Sequence, residues 1–402
     1  MNLQHKKVLL CITGSIAAYK SILLLRLLVK SGAEVQVVLS ASAANFVSPL
    51  VLETLSKKPV LQDIATGSSW ANHVQLGRWA DVMVVAPATC NTLAKMAHGQ
   101  CDNLLLAIYL SATCKVLVAP AMDEDMWHHP ATQANLETLR NFGVQLADVS
   151  YGELGSGLVG MGRMQEPEQL LLDIEELLLK KASLAGKKVL ITAGATHEKL
   201  DPVRFLGNNS SGKMGIALAE WFYLHGAEVH LVLGPTHLLP KYAGIQVLNV
   251  GTAAEMFAAV EQNFSTSEIT VCAAAVADFT PIKSYDKKIK KEEGKQEWEL
   301  VLTKTTDILA YCGMQKLKHQ LVVGFALETD NALANAHKKL LSKKADAIVL
   351  NSPSPTTGCN SDTNEVFLLT GDAEALHFPL GNKQDIACKL VEKFIELYDN
   401  KK

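Results

Sequence analysis

Lys6-Lys7-Val8-Leu9-Leu10-Cys11-Ile12-Thr13-Gly14-Ser15-Ile16-Ala17-Ala18-Tyr19-Lys20 runs from a strand-length apolar segment through a glycine turn into a helical pattern. Strand, tight turn and helix in that order open a β-α-β unit. Working outward, Val35–Leu39, Val82–Ala86, Val116–Ala119 and Val144–Leu146 are further apolar runs, each separated by segments of 3.6-residue periodicity. Continuous apolar strands alternating with amphipathic helices predict a parallel sheet covered on both faces. The pattern lapses over the glycine-rich stretch 150–163 and resumes as an amphipathic helix, Pro167–Lys181. Lys180–Gly186 reads as a linker.

The opening is then echoed. Lys187-Lys188-Val189-Leu190-Ile191 matches Lys6-Lys7-Val8-Leu9-Leu10, and Gly226-Ala227-Glu228-Val229 matches Gly32-Ala33-Glu34-Val35. The offset grows from 181 to 194 residues between these matches, so the second half carries 13 extra residues in its first crossover, around Pro202 to Met214. That insertion falls at the carboxyl end of a first strand, where open α/β sheets bind ligands. Shared local grammar between two doubly wound domains accounts for the echo equally well. With 402 residues, two domains are expected, 1–183 and 184–402, both α/β and doubly wound.

Composition narrows the function classes. Apolar residues make up 48% and charged residues 20%, so a large core is available. A net charge of −3 argues against a general nucleic-acid binder. No segment reaches the length of a membrane span, since the longest apolar stretch, Ile22–Val29, is interrupted by Arg26. A cytoplasmic protein is expected. The eight cysteines contain no CxxC pair, signal neither zinc nor disulfides, and are expected to be mostly small buried hydrophobes.

Gly14, Ser15 and Ile16 form the turn between the first strand and its helix, where backbone N–H groups and a hydroxyl suit a phosphate. Ordinary capping explains the same residues. Neither GxGxxG nor GxxxxGK[ST] is present, which excludes the usual dinucleotide and P-loop signatures. Ser40 ends the second strand and Ala86-Pro87-Ala88-Thr89 ends the third, so three strand ends converge. A lone histidine such as His73 is in general a surface or capping residue.

Taken in order, Gly14–Lys20, His73 in Asn72-His73-Val74-Gln75-Leu76, Ala86–Thr89 and Pro120-Ala121-Met122-Asp123-Glu124-Asp125-Met126-Trp127 resemble the homo-oligomeric flavin-containing cysteine decarboxylases over residues 6 to 178. The resemblance implies an FMN phosphate at Gly14, Ser15 and Ile16, and further cofactor contacts at Ser40, Ala86, Pro87, Ala88 and Thr89. It makes His73 an acid/base candidate, its ordinary pKa lying near neutrality. The implied chemistry is oxidation of a cysteinyl thiol, loss of carbon dioxide to leave an enethiolate, and return of the electrons with protonation at carbon. In relatives a loop cysteine supplies that proton and an asparagine holds the substrate carboxylate. Here Asp123 stands at the asparagine position and Ser156 at the cysteine position, with no cysteine between Cys114 and Cys272. A hydroxyl is a far weaker acid than a thiol of pKa about 8.5. An ionised Asp123 within about 4 Å of a carboxylate costs on the order of 1 to 4 kcal/mol. Deliberate substitution, natural loss of the activity, or use of another acid each accommodate these departures.

In the second half, Thr192-Ala193-Gly194-Ala195-Thr196-His197-Glu198, Asp201-Pro202-Val203-Arg204 and Asn208-Asn209-Ser210-Ser211-Gly212-Lys213-Met214-Gly215 form a hydroxyl- and glycine-rich loop entering a helix, Met214–His225, that Ser210 and Ser211 can cap. Ala273-Ala274-Ala275-Val276-Ala277-Asp278 reads as a strand end with one carboxylate, and the lysine run 287–291, read alone, is a solvated face. Together with 304–307 and 322–329 these segments resemble phosphopantothenate–cysteine ligase across residues 186 to 398. The resemblance implies that Asn208 handles an acyl-nucleotide and Lys288 meets the triphosphate. Cys272, Ala273, Ala274, Asp278, Thr306, Asp307, Ile308, Leu309, Phe325, Lys339 and Lys343 take further nucleotide positions. His197 stands where many relatives have arginine.

The whole chain thus resembles the bifunctional phosphopantothenoylcysteine decarboxylase/phosphopantothenate–cysteine ligase (CoaBC/Dfp) family. That implies CTP, phosphopantothenate and cysteine as substrates, FMN and Mg²⁺ as cofactors with the metal ligands open, and a homo-oligomer, a dodecamer, with flavin sites at subunit boundaries. The alternative is an active ligase joined to an impaired flavin half.

Overall fold

Val8 to Ile12 are fully buried, as a strand covered on both faces requires. Along it Val8, Leu10 and Ile12 join one apolar cluster, and Leu9 and Cys11 join the cluster on the opposite face. The computed structural model describes residues 3–66, 69–290, 298–328, 330–351, 361–371 and 374–401. Lys291 and Thr329, the last residues of two segments quoted above, and Cys359, one of the eight cysteines, lie outside them. The chain divides into two units, Met1–Leu179 and Lys180–Lys402.

The first unit runs β1 (Lys7–Ile12), α1 (Ala18–Lys30), β2 (Glu34–Leu39), α2 (Pro49–Ser56), the short pair β3 (Ala65–Thr66) and β4 (Ser69–Trp70), α3 (His73–Trp79), β5 (Val82–Ala88), α4 (Cys90–Ala97), α5 (Leu104–Ser111), β6 (Lys115–Pro120), α6 (Glu124–His128), α7 (Pro130–Asn141), β7 (Gln145–Leu146), β8 (Val149–Glu153), β9 (Val159–Met164) and α8 (Pro167–Leu179). Its main sheet has the order β2-β1-β5-β6-β7, all parallel. Numbering only these five strands, the order is 2-1-3-4-5, so the topological switch point lies between β1 and β5. Helix α1 forms because Leu24, Leu25 and Leu28 make one buried stripe, and Lys30 complements its carboxyl end.

Residues 150–163, where the sequence pattern lapses, are an antiparallel hairpin, β8 with β9. Strict alternation is missing because glycines at 152, 160 and 162 replace side chains where the hairpin meets its neighbours. A Cβ on Gly162 would lie 2.4 Å from the Met122 carbonyl oxygen, and one on Gly160 would overlap the Glu124 carboxyl. Lys20, almost wholly buried, anchors the end of this hairpin. Its Nζ donates to the Met164 carbonyl (2.8 Å) and to Glu166 Oε1 (2.7 Å).

The second unit runs β10 (Lys188–Ala193), β11 (His197–Lys199), β12 (Phe205–Gly207), α9 (Lys213–Leu224), β13 (Glu228–Leu233), β14 (Gln246–Asn249), α10 (Ala253–Phe264), β15 (Ile269–Cys272), β16 (Phe279–Pro281), β17 (Leu302–Lys304), α11 (Ile308–Gln315), β18 (Leu321–Leu327), α12 (Ala332–Ser342), β19 (Ala347–Asn351), β20 (Thr363–Leu369), β21 (Leu376–Asn382) and α13 (Lys383–Asp399). The sheet order is β14-β13-β10-β15-β18-β19-β20-β21. The first six strands are parallel in the 3-2-1-4-5-6 order of a doubly wound sheet, and β20 and β21 extend the edge antiparallel.

The internal echo is structural as well as textual. Lys7 pairs with Glu34 and Lys188 with Glu228 at the start of each first ladder, and Gly32 and Gly226 precede them at φ +90° and +87°. The β11–β12 hairpin lies in this first crossover, with β12 inside the stretch read as inserted and β11 just before it. Helix α9 begins at Lys213 and is capped by Gly212 at φ +77°, so Ser210 and Ser211 are not its side-chain caps. Residues read as a linker dock onto the second unit: the Lys181 amide donates to Leu224 O (2.7 Å) and the Leu184 amide to His225 O (2.9 Å). Only Cys11 and Cys312 of the seven described cysteines are buried, fewer than composition suggests. Among the described residues no helix is long and apolar enough to cross a membrane.

Lys20→Met should weaken the first unit by about 1–3 kcal/mol, because the buried Met164 carbonyl loses its donor while Glu166 can turn to solvent. Calorimetric unfolding of the full chain reads this directly, and an unchanged transition would show that the hairpin does not depend on Lys20.

Candidate functional sites

Three strand ends meet at the switch point of the first unit. Thr13 Oγ1 donates to the Pro87 carbonyl (2.7 Å) and accepts from the Thr89 amide (3.2 Å), tying β1 to the end of β5. Ser21 Oγ donates to Ala86 O (2.7 Å), and the Ala86–Pro87 peptide is cis. At the end of β2, Ser40 Oγ and Ser42 Oγ lie 3.3 Å apart. A Cβ on Gly14 would come within 2.4 Å of Ser42 Oγ, so the turn and the β2 end pass each other only because Gly14 has none. Gly14, Ser15, Ile16, Ser40, Ala86, Pro87, Ala88 and Thr89 therefore share one end of the sheet. The segments 14–19, 40–45 and 86–92 offer hydroxyls and the start of a 13-residue helix but no carboxylate, a donor set that fits the phosphate of a flavin nucleotide. Ser42 was not picked out from sequence. Its spacing of two from Ser40 is the signal that could have found it.

Asp123 lies just beyond β6 and caps the five-residue α6, its Oδ1 accepting from the Glu124 amide (2.9 Å). Ser156 sits at the exposed tip of the β8–β9 hairpin, where its Oγ accepts from the Leu158 amide (3.3 Å). The tip reaches the phosphate-type turn: a Cβ on Gly155 would lie 3.2 Å from Ile16 Cγ2. The base of the hairpin meets the Asp123 segment, with the Met122 amide donating to Gly162 O (3.0 Å). Asp123 and Ser156 are thus carried on touching elements. His73 opens α3, which is capped by Asn72 and packs on α5 through Gly77, where a Cβ would fall 2.8 Å from Ser111 O. Its helix ends beside the amino end of β1, the Asp81 amide donating to Lys7 O (2.8 Å). Six residues of helix, about 9 Å, carry His73 back toward the ligand end of the sheet.

In the second unit a cleft of about 720 Å³ opens at the carboxyl ends of β15 and β18. Cys272, Ala274, Asp278, Thr306, Asp307, Ile308, Leu309, Phe325, Lys339 and Lys343 line it, leaving Ala273 and Lys288 as the sequence-assigned nucleotide residues that do not. Asp307 caps α11, accepting from the Ala310 amide (2.8 Å), and pairs with Lys343 Nζ (2.6 Å). Burial raises its carboxyl, but the Lys343 hydrogen bond, the Ala310 amide and the charges of Lys343 and Lys339 outweigh it and hold the group below the usual carboxylate range. Lys339 Nζ donates to the Phe325 carbonyl (3.1 Å). Asn335, Lys338 and Ser342 also line the cleft and were missed, although Asn335 and Ser342 stand four before and three after Lys339, and Lys338 stands three after Asn335 and four before Ser342, the spacing of one face of α12. Four lysines, Lys304, Lys338, Lys339 and Lys343, face three carboxylates, Asp278, Asp307 and Glu328. A polyanion suits that balance.

Asn208 does not line the cleft but is tied to its wall, Nδ2 donating to Ala275 O (3.2 Å) and Val276 O (3.0 Å). Thr192 Oγ1 accepts from the Ala274 amide (3.2 Å) and Thr196 Oγ1 from the Ala277 amide (3.0 Å), so the small-residue segment before Asp278 is fixed from β10. His197 stacks on Phe205 at 3.7 Å between ring centres. Among the described residues no group of three or more His, Cys, Asp or Glu is arranged to hold a metal.

A family described as Flavoprotein matches residues 1–179, and one described as DNA/pantothenate metabolism flavoprotein C-terminal domain matches 184–398. The chain is 47% identical over 358 residues to a protein from an unknown prokaryotic organism named cysteine/cysteine sulfinic acid decarboxylase, covering 87% of this chain and 99% of that one. It is 40% identical over 400 residues, 98% of each chain, to the coenzyme A biosynthesis bifunctional protein CoaBC of Bacillus subtilis (strain 168). Among solved structures, the C-terminal domain of a coenzyme A biosynthesis bifunctional protein CoaBC shares 37% identity over 55% of this chain and 100% of its own, with a TM-score of 0.47. With both halves matched in order and similarity running nearly end to end, the chain belongs to the CoaBC family of bifunctional coenzyme A biosynthesis proteins.

Proposed function

We propose that the second unit joins 4′-phosphopantothenate to cysteine with CTP, and that the first unit decarboxylates the 4′-phosphopantothenoylcysteine so formed to 4′-phosphopantetheine with FMN. The observation that carries this reading is the gathering of a lysine-rich helix face, Asp278 and the α11 amino end around one cleft. In the ligase step a carboxylate oxygen of phosphopantothenate attacks the α-phosphate, pyrophosphate leaves, and the cysteine amine then attacks the acyl carbon, losing a proton as CMP departs. Lys339 offsets the charge of the nucleotide beside the Asp307–Lys343 pair, Lys288 meets the triphosphate, and Asn208 orients the acyl-nucleotide from the cleft wall. Mg²⁺ would enter bound to the phosphates, a mode that needs few protein ligands.

In the first unit the residues that would hold FMN are Gly14, Ser15, Ile16, Ser40 and Ala86–Thr89, and the bound flavin would supply a reversible two-electron acceptor. Ser156 is carried over the turn by its hairpin, and His73 serves as an acid/base group supplied at a subunit boundary. Exposed Ile16, Tyr19 and Leu23, at and just beyond the turn, support burial there by a second subunit. Assembly into a dodecamer and a cytoplasmic location follow from the same reading. End-to-end similarity to a bifunctional protein does not favour the alternative of an impaired flavin half.

One observation favours a second substrate for the first unit. Asp123 would repel a carboxylate but attract an α-ammonium, which free cysteine has and an acylated cysteine lacks, and the 47% identical relative is named for decarboxylation of cysteine.

Three measurements check these readings. Mass spectrometry of the full chain with phosphopantothenate, cysteine, CTP and Mg²⁺ should yield phosphopantetheine, and Lys288→Gln should abolish ligation; wild-type turnover in that variant removes the triphosphate role of Lys288. Asp123→Asn should lower KM for phosphopantothenoylcysteine about five-fold or more while raising that for free cysteine, following a charge term of about 1 kcal/mol or above. Equal effects on both substrates would leave Asp123 outside the site. Light scattering should report a high oligomer, and a monomer at micromolar concentration would remove the shared-site role of His73.

A further inference from the structure

Asp201 is a carboxylate with no exposed side-chain surface, lying outside the nucleotide cleft and carrying no role in the chemistry above. Its Oδ1 accepts from the amides of Val203 and Arg204, each at 2.8 Å. Its Oδ2 accepts from Arg204 Nε (2.9 Å), from Arg204 Nη2 (2.5 Å) and from the Ile289 amide, 88 residues away (3.1 Å). Arg204 Nη2 also donates to the Ile289 carbonyl (3.0 Å). Both backbone groups of Ile289 are therefore held by one ion pair. A separate tether, the Tyr285 amide on Leu200 O (3.0 Å), joins the same two segments. Arg204 further stacks over the Trp298 ring at 5.3 Å.

Ile289 is the residue between Lys288 and Lys290, both exposed. Fixing its N–H and C=O fixes the two planar peptide units that join it to Lys288 and Lys290, and with them one backbone torsion of each lysine. We propose that Asp201 is a positioning residue of the ligase, acting through Arg204 and Ile289 to hold Lys288 and Lys290 in place for the nucleotide; this rests on the triphosphate role assigned to Lys288. The charge arrangement suits that task. A carboxylate that ordered the lysines by pairing with them would cancel the charge the triphosphate needs. Here the carboxylate is spent on Arg204 and on backbone amides, and among the described residues Lys288 and Lys290 have no carboxylate partner. A flexible lysine segment would lose its ordering entropy at each encounter with substrate; a clamped one has already lost it.

The test uses the full-length protein with two variants, Asp201→Asn and Ile289→Pro. The second removes the N–H that Asp201 accepts from, while also fixing φ at 289 and restricting Lys288, and it leaves the buried Asp201–Arg204 pair intact, which guards against a folding defect in the first. In both, kcat for CTP-dependent ligation should fall at least ten-fold, with KM for phosphopantothenate and cysteine within two-fold of wild type. Tryptic cleavage after Lys290, followed by mass spectrometry without nucleotide, should accelerate at least ten-fold while cleavage elsewhere in the second unit stays constant. Unaltered cleavage in both variants overturns the clamp. Accelerated cleavage with unaltered kcat, in a protein that Lys288→Gln inactivates, overturns its role in positioning. Full activity in Lys288→Gln instead overturns the assignment of Lys288, and the cleavage rate then still decides whether the clamp exists.

Discussion

A parallel sheet stops abruptly at its carboxyl edge, and the backbone groups released there need partners that the ladder no longer provides. Both units of this protein meet that need with threonine hydroxyls carried on or just beyond their first strand. Thr13 bridges β1 to the Pro87 carbonyl and the Thr89 amide, while Thr192 and Thr196 accept from the amides of Ala274 and Ala277. Each bridge crosses the topological switch point of its sheet and fixes the loops on either side. The Gly14 turn follows directly on the first bridge, and Thr192 and Ala274 of the second stand in the wall of the cleft.

Around these openings the two units solve the charge problem differently. The first offers hydroxyls, amides and a helix start without carboxylates, a neutral cradle for one phosphate. The second gathers lysines on the face of α12 that lines its cleft, with Lys343 held by Asp307. Asp201 repeats the economy at a distance, its charge consumed by Arg204 so that nearby lysines keep theirs. Pairing carboxylates with chosen cations leaves the remaining cations for the ligand.

Glycine has a specific part in this. Gly14, Gly162 and Gly215 stand where another atom already occupies the Cβ position: Ser42 Oγ, the Met122 carbonyl and Ala193 Cβ, each 2.4 Å away. Such contacts put the hairpin against the Asp123 segment and seat α9 on β10. They are invisible to hydrophobic periodicity, and this is why the stretch 150–163 looked patternless although it is a hairpin, with one shift of register, whose Gly155 lies against Ile16.

What the sequence determined by itself was everything with a short-range signature. Apolar runs such as Val8–Ile12 specify strands, the glycine turns specify where helices begin, and the Lys-Lys-Val repeat specifies two similar units, because strand and helix periods are local properties of the chain. The order of motifs also singled out ten residues that line one cleft of the second unit. The antiparallel edge strands β20 and β21, the capping of α9 by Gly212, and the Asp201–Arg204 hold on Ile289 were decided only by the tertiary structure. Each depends on groups far apart in sequence, up to 88 residues for Asp201 and Ile289. The free energy of such a contact exists only after the sheet has brought both partners to the same edge, and no local pattern of residue types records it.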